Sequence, residues 1–233
     1  MSVIRKAFRR PIDISTLLDQ TDVKLVDGNK VAVKHYTKPS GLIKWLILNF
    51  PPIPFYYPLT LDPEERMKRE IAFFNSEIGG VFRPKIYKIN WEKIFMEREY
   101  IEGREISLES IEDIEALGRT ISKIHSASFC LGDTKPENFI VSNEKVYVID
   151  AEQSLERCPK KKYIGWDIML TALFIFWSNP LATPQEYSSK FSTFLQGYRD
   201  EGGDLSWEIL KEAHPLILLI PPRLVMIIKS LVE

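Results

Sequence analysis

Apolar and polar residues alternate along the first half of the chain in a pattern that predicts β-strands. Residues 23–36 match a β-hairpin, because two alternating runs flank the turn-forming residues 27–30 (DGNK). Further strands are expected over residues 85–89 and 94–100, and a second short hairpin over residues 139–149. The first half is therefore predicted to be rich in β-strands.

Helical spacing of apolar residues dominates the second half and also marks one segment of the first. Asp62 can cap a helix that carries Pro63 in its first turn, with Glu65 reaching back to complete a capping box. Isoleucine and leucine recur at helical spacing over residues 110–126, and a strongly apolar helix is predicted over residues 168–177.

These elements together predict an α+β fold of two lobes. We expect a strand-rich N-terminal lobe over residues 1–101 and a helical C-terminal lobe over residues 102–233. A chain of 233 residues is long enough for two small lobes that share a cleft.

Charge and cysteine usage narrow the function classes. The formal net charge is −1, so the chain gives no strong nucleic-acid signal. Cys130 and Cys158 have neither paired nor metal-ligand spacing, which predicts no disulfide and no zinc site and fits a reducing cytoplasm.

Two segments are apolar enough to be considered as membrane spans. Prolines and charged residues interrupt both residues 42–58 and residues 215–232, so neither is expected to cross a bilayer. The aromatic side chains of residues 42–58 suit either a peripheral contact with a membrane surface or packing over the first lobe or against a partner.

Candidate chemistry is concentrated between Gly132 and Asp150. A polar run that includes Asp133 and Asn138 joins a predicted helix to a strand, and the next strand ends on Asp150. The hairpin should bring the two aspartates to one rim, where carboxylate and amide oxygens suit Mg²⁺ or Mn²⁺. Phosphoryl transfer needs such a set, whereas the alternative interpretation is an acidic turn cluster on the surface.

The run D-T-K-P-E-N at residues 133–138 resembles the catalytic loop of protein kinases. This resemblance implies that the chain binds ATP and that Asp133 is the catalytic base. It implies that Lys135 contacts the γ-phosphate, and that Asn138 and Asp150 are the magnesium ligands.

The first half contains a matching kinase feature. Residues 31–34 (VAVK) are similar to the kinase V-A-I-K strand, and strand alternation puts Ala32 and Lys34 on one face. The resemblance implies that Ala32 lies beside adenine and that Lys34 reaches the α- and β-phosphates. It also requires a helical glutamate to hold Lys34, for which Glu70 is the first candidate and Glu77 the second.

Other kinase-like positions follow. Residues 99–103 resemble a kinase hinge, which implies that backbone groups near Glu99 and Ile101 meet adenine. Asp167 resembles the helix aspartate that braces the catalytic loop, and His125 is interpreted as structural.

The chain departs from ordinary kinases in four places. It has no glycine-rich loop before residue 31, Leu-Gly precedes Asp133, Ala-Glu follows Asp150, and only a short segment separates Asp150 from Asp167. Such features resemble the compact atypical branch, with a reduced C-terminal lobe, that includes the KEOPS-complex kinase, RIO kinases and lipopolysaccharide-core kinases. Lys-Pro-Glu stands where the KEOPS kinase carries Thr-Thr-Ser, so the sequence does not assign the chain to that complex.

The resemblance implies an ATP- and magnesium-dependent phosphotransferase, first of all an atypical serine/threonine protein kinase. Two alternatives stay open: a kinase of small molecules or lipid-linked sugars, and an ATP-binding pseudokinase that serves as a binding module.

Overall fold

The computed structural model describes residues 21–26, 28–38, 56–158 and 161–233. In chain order, the strands are β1 (Thr21–Val26), β2 (Asn29–His35), β3 (Ile86–Asn90), β4 (Phe95–Glu99), β5 (Arg104–Glu105), β6 (Phe139–Ser142) and β7 (Lys145–Val148). The helices are α1 (Pro63–Asn75), α2 (Ile111–Ser126), α3 (Lys161–Ser178), α4 (Pro184–Asp200), α5 (Trp207–Leu210), α6 (His214–Ile217) and α7 (Pro222–Val232). This mixture confirms the predicted α+β class, while the predicted lobe boundary at residue 101 stays a prediction.

Two antiparallel sheets hold the strands. The first has the order β1-β2-β4-β3 and the second the order β5-β6-β7. Ala32 lies opposite Arg98, and Lys34 lies opposite Met96. Directly opposed residues of an antiparallel pair share a face, so these four side chains lie on one side of the first sheet.

Helix α1 begins where the sequence predicts it, although its N-terminus is capped by Asp62 alone and not by a capping box. Asp62 accepts hydrogen bonds from the backbone N–H groups of Glu64 and Glu65, and Pro63 occupies the first turn. The predicted capping box is wrong: the N–H of Asp62 donates to Thr60 Oγ1, while Glu65 pairs with Arg69 one turn further on. An exposed glutamate at this position has a nearby guanidinium as a competing partner.

Helices α2 and α4 pack against each other through two glycines. A Cβ atom on Gly118 would lie 2.2 Å from the carbonyl oxygen of Phe194, and one on Gly197 would lie 2.1 Å from that of Glu115. The two backbones therefore meet without side chains between them. This contact fixes α2, whose C-terminal end leads directly into the candidate catalytic loop.

The prediction that the cysteines stay unpaired is wrong. Cys130 and Cys158 form a disulfide, with their Cα atoms 5.6 Å apart. The reason is tertiary: Cys130 and Leu155 form an antiparallel bridge, and the N–H of Cys158 donates to the carbonyl of Ser128. Cysteine usage thus no longer argues for a reducing compartment.

Within the described ranges, each helix is too short or too polar to cross a bilayer. This finding agrees with the expectation for residues 215–232. The aromatic segment 42–58 falls mainly outside the described residues, which include only its last three positions.

Replacing Cys130 with serine should destabilise the fold by about 3 kcal/mol, because the disulfide closes a loop with a sequence separation of 28 residues. For a chain of this size that lowers Tm by roughly 6–12 °C. Thermal denaturation followed by circular dichroism measures the effect. A reducing agent should lower the Tm of the wild type to that of Cys130→Ser, and two titratable thiols in unreduced, unfolded wild-type protein would contradict the pairing.

Candidate functional site

Lys34 is the centre of the candidate site. Strand β2 carries its side chain into the interior, where only 2% of it is exposed. Its Nζ lies 2.9 Å from Glu70 Oε2, 3.0 Å from Asp150 Oδ1 and 3.2 Å from Glu152 Oε2. The structure therefore places Glu70 against Lys34, whereas Glu77, the second candidate, is exposed on the surface.

Glu152 and Arg66 complete this cluster, and sequence reasoning missed both. Arg66, on α1 one turn before Glu70, is fully buried, and its Nη2 lies 2.6 Å from Glu152 Oε2. Its Nη1 also donates to the backbone carbonyl of Tyr36, at 3.4 Å. The sequence did contain one signal for this pair: Glu152 stands where ordinary kinases have glycine. A buried carboxylate at that position needs a charged or hydrogen-bonding partner.

A third cation lies on the same face of the sheet. Arg98 is 5% exposed, and its guanidinium carbon lies 5.8 Å from the ring centre of Phe74 on α1. Its Nε has no hydrogen-bond partner among the described residues. Arg98 brings the basic side chains of this region to three, equal in number to its buried or half-buried carboxylates.

Mutual electrostatics sets the protonation states here. Burial would lower the pKa of Lys34, but Asp150, Glu152 and Glu70 together raise it well above its ordinary value. Burial raises the pKa of Glu70; Lys34 and Arg98 oppose this, while Asp150 and Glu152 add to it. Burial and the neighbouring Glu70 raise the pKa of Tyr36, so its hydroxyl keeps the proton that it donates to Glu70 Oε2.

Oxygen atoms of Glu70, Asp150 and Glu152 lie within 4.8 Å of one another, as in many cation sites. One oxygen of each of these three carboxylates lies close to Lys34 Nζ. The ammonium group therefore lies among these carboxylates, and a metal ion bound between them would have to displace it. A metal ion held by the predicted ligands Asn138 and Asp150 is therefore expected on the outer side of Asp150, whose side chain is 24% exposed.

The candidate catalytic loop places Asn138 between the two aspartates. Asn138 Nδ2 donates to the backbone carbonyl of Asp133 at 2.9 Å, and the Asn138 carbonyl accepts from the N–H of Ile149 at 2.9 Å. The first bond uses the amide nitrogen, so the side-chain oxygen is the atom that can face a cation. Lys135 Nζ lies 3.8 Å from Asp133 Oδ2.

Asp167 holds the backbone of this loop through hydrogen bonds, as its resemblance to the bracing aspartate implies. Its fully buried carboxylate accepts hydrogen bonds from the backbone N–H groups of Leu131, at 2.7 Å, and Gly132, at 2.8 Å. His125 Nε2 lies 3.1 Å from the same carboxylate, and its Nδ1 lies 2.8 Å from the hydroxyl of Tyr198. His125 is thus held in a structural network.

The predicted adenine contacts fall on the end of β4 and on β2. Ala32 is buried, 2% exposed, on the face that it shares with Lys34. The N–H of Glu99 already donates to the Lys85 carbonyl at 2.8 Å. Any contact of this segment with adenine would therefore use other backbone atoms, such as those of Ile101, which lies half-buried just after the strand.

Comparisons with known proteins identify relatives of one kind. No family model matches the chain. It is 27% identical over 161 residues to a probable serine/threonine-protein kinase BUD32 homolog of Archaeoglobus fulgidus, covering 67% of this chain and 77% of the relative. It is 26% identical over 140 residues to the KEOPS complex subunit Bud32 of Pyrococcus abyssi, covering 48% of this chain and 64% of the relative.

A third similarity is to a longer protein. The chain is 36% identical over 104 residues to a probable bifunctional tRNA threonylcarbamoyladenosine biosynthesis protein of Methanococcus maripaludis. That match covers 41% of this chain and 19% of the relative, so it concerns one part of the longer protein. Together with the mixed helix and sheet fold, these relatives confirm the resemblance that the loop motif predicts: the chain is similar to atypical protein-kinase-like proteins.

Proposed function

We propose that the chain is an ATP- and magnesium-dependent phosphotransferase, acting as an atypical serine/threonine protein kinase. One observation carries the proposal: a buried lysine from the sheet meets both a glutamate from α1 and Asp150, at distances of 2.9 and 3.0 Å. Three segments far apart in sequence converge there, next to the loop that holds Asp133 and Asn138.

Each residue has a distinct task in this proposal. Lys34, held by Glu70, neutralises charge on the α- and β-phosphates, while Ala32 and the backbone near Glu99 and Ile101 border the adenine. Asn138 and Asp150 hold Mg²⁺ or Mn²⁺ through oxygen atoms, which are the ligands that these cations prefer. When bound, the metal supplies positive charge beside the phosphates.

The reaction transfers the γ-phosphoryl group to an alcohol. The hydroxyl oxygen of the acceptor bonds to the γ-phosphorus, and the bond from that phosphorus to the bridging oxygen breaks to release ADP. Asp133 accepts the hydroxyl proton. Lys135 lies 3.8 Å from Asp133 and reduces the negative charge that gathers on the transferred group.

Names of the relatives support a protein partner. The Pyrococcus abyssi relative is named as a KEOPS complex subunit, and the Methanococcus maripaludis relative as a tRNA threonylcarbamoyladenosine biosynthesis protein. We propose on this basis that a protein binds this chain, as a substrate or as a partner in a complex.

A pseudokinase is the second candidate, and Glu152 favours it. Its carboxylate occupies a position beside Lys34 that a phosphate would otherwise use, at 3.2 Å from Nζ. In a pseudokinase that contact would be permanent. ATP binding and phosphoryl transfer must therefore be measured separately.

Saturating ATP with magnesium should raise the Tm of the wild type, and the change Asp150→Asn should abolish the magnesium-dependent part of that rise. At 100 times Kd the stabilisation is about 2.7 kcal/mol, or roughly 5–10 °C. Differential scanning fluorimetry with ATP, with and without magnesium, checks this. Asp204→Asn, at an exposed aspartate, is the control and should respond as the wild type does. No shift in the wild type would refute the ATP site.

Replacing Asp133 with asparagine should lower phosphoryl transfer by roughly 10²–10⁴-fold, because the acceptor loses its general base. Nucleotide binding should stay, since Lys34 and Asp150 are unchanged. The measurement uses labelled ATP with protein, small-molecule and lipid acceptors. A wild type that binds ATP yet labels none of them supports the pseudokinase, and equal transfer by Asp133→Asn would remove Asp133 from the mechanism.

A further inference from the structure

Tyr57 belongs to the part of the aromatic segment 42–58 that the structure describes, and its side chain is fully buried. Its ring packs against Tyr163 and Trp166 of α3, with ring centres 5.3 and 5.8 Å away. A residue from the N-terminal part of the chain thus reaches the helix that follows the catalytic loop. This contact is not needed to form the sheet or α1.

The ring of Tyr57 also lies against Gly132, the residue before Asp133. Gly132 has a φ of +74°, and a Cβ atom there would lie 2.4 Å from Tyr57 Cε1. A side chain at residue 132 is therefore excluded both by the backbone conformation and by the ring. The glycine of Leu-Gly-Asp is the residue that this conformation and this contact accommodate, whereas the arginine of His-Arg-Asp would collide with the ring.

Gly132 is held on three sides. Its N–H donates to Asp167, and its carbonyl accepts from Trp166 Nε1 at 3.1 Å. The ring of Tyr57 covers the remaining face. Because Asp133 is the next residue, each of these contacts restricts the position from which its carboxylate projects.

The same segment also contacts the residues after Asp150. The hydroxyl of Tyr57 donates to the backbone carbonyl of Gln153 at 3.1 Å. The buried amide of Gln153 in turn pairs with the backbone of Thr60, accepting from its N–H at 2.9 Å and donating to its carbonyl at 3.0 Å. Arg69 of α1 donates to the Pro58 carbonyl at 2.9 Å. Residues 57–60 therefore bridge the two loops that carry Asp133 and Asp150.

We propose that Tyr57 is a positioning residue: it holds the Gly132-Asp133 turn in place and ties it to the segment that follows Asp150. The consequence for turnover rests on the proposed phosphotransferase function, whereas the restraint on the loop does not. A merely structural tyrosine would add stability without affecting either the mobility of this turn or the rate per folded molecule.

Loop restraint is tested by amide hydrogen exchange on the full chain. Tyr57→Leu should speed exchange in a peptide that covers residues 130–135 by at least roughly tenfold, since the Gly132 turn loses one of its three contacts. Tyr187→Leu is the matched control, because Tyr187 is also buried and also donates to a backbone carbonyl, that of Ala172. Equal exchange in this peptide for the two variants would overturn the proposal.

Turnover is tested by a double-mutant cycle. Tyr57→Leu should lower kcat by about tenfold or more while KM for ATP changes by less than about threefold, as a displaced base affects the chemical step more than binding. Gly132→Ala should lower kcat similarly, because its methyl group collides with the ring. The double variant should be no slower than Gly132→Ala alone, since the smaller leucine relieves that collision.

Two outcomes are decisive. If Tyr57→Leu lowers Tm but keeps the wild-type kcat per folded molecule, Tyr57 is structural only and the proposal is wrong. If the wild type transfers no phosphate, the proposed function fails, but the exchange experiment still decides whether Tyr57 restrains the loop.

Discussion

The charge of Lys34 is the constraint on which the rest of the candidate site depends. An ammonium group that is 2% exposed cannot stay charged without nearby carboxylates. Glu70, Asp150 and Glu152 supply them from α1 and from the segment after β7. Because one buried charge needs partners from both segments, it links the position of α1 to that of the segment that carries Asp150 and Glu152.

Arg66 and Glu152 extend this linkage in a way that ordinary kinase patterns do not contain. With Lys34 as their only cation, three carboxylates would repel one another; burial raises the pKa of Glu70, and the neighbouring Asp150 and Glu152 add to that rise. Arg66, 2.6 Å from Glu152, offsets this repulsion from the α1 side. A glycine after Ala151 would need no such arginine. The two residues therefore form one feature, and removing either alone takes a charged partner from the other.

Local pattern was enough to locate most elements and the loop that carries the candidate catalytic residues. Alternation placed Ala32 and Lys34 on one face, and the Asp62 cap and the helical stripes gave the helix starts, because such signals depend on neighbours within one or two turns. What the sequence did not reveal is long-range. The disulfide and the contact of Tyr57 with Gly132 join residues whose spacing carries no periodic signal, and the unused capping box reflects a competing neighbour of Glu65.

Several independent restraints converge on the few residues before Asp133. Asp167 binds two consecutive N–H groups, the disulfide joins Cys130 to Cys158, and Tyr57 covers Gly132. Only 16 residues separate Asp150 from Asp167, which leaves little room for the long activation segment of ordinary kinases. A turn already held by covalent, hydrogen-bonded and packing contacts has little conformational entropy left to lose when a ligand binds. The fold itself therefore orders the residues before Asp133, without waiting for a ligand to bind.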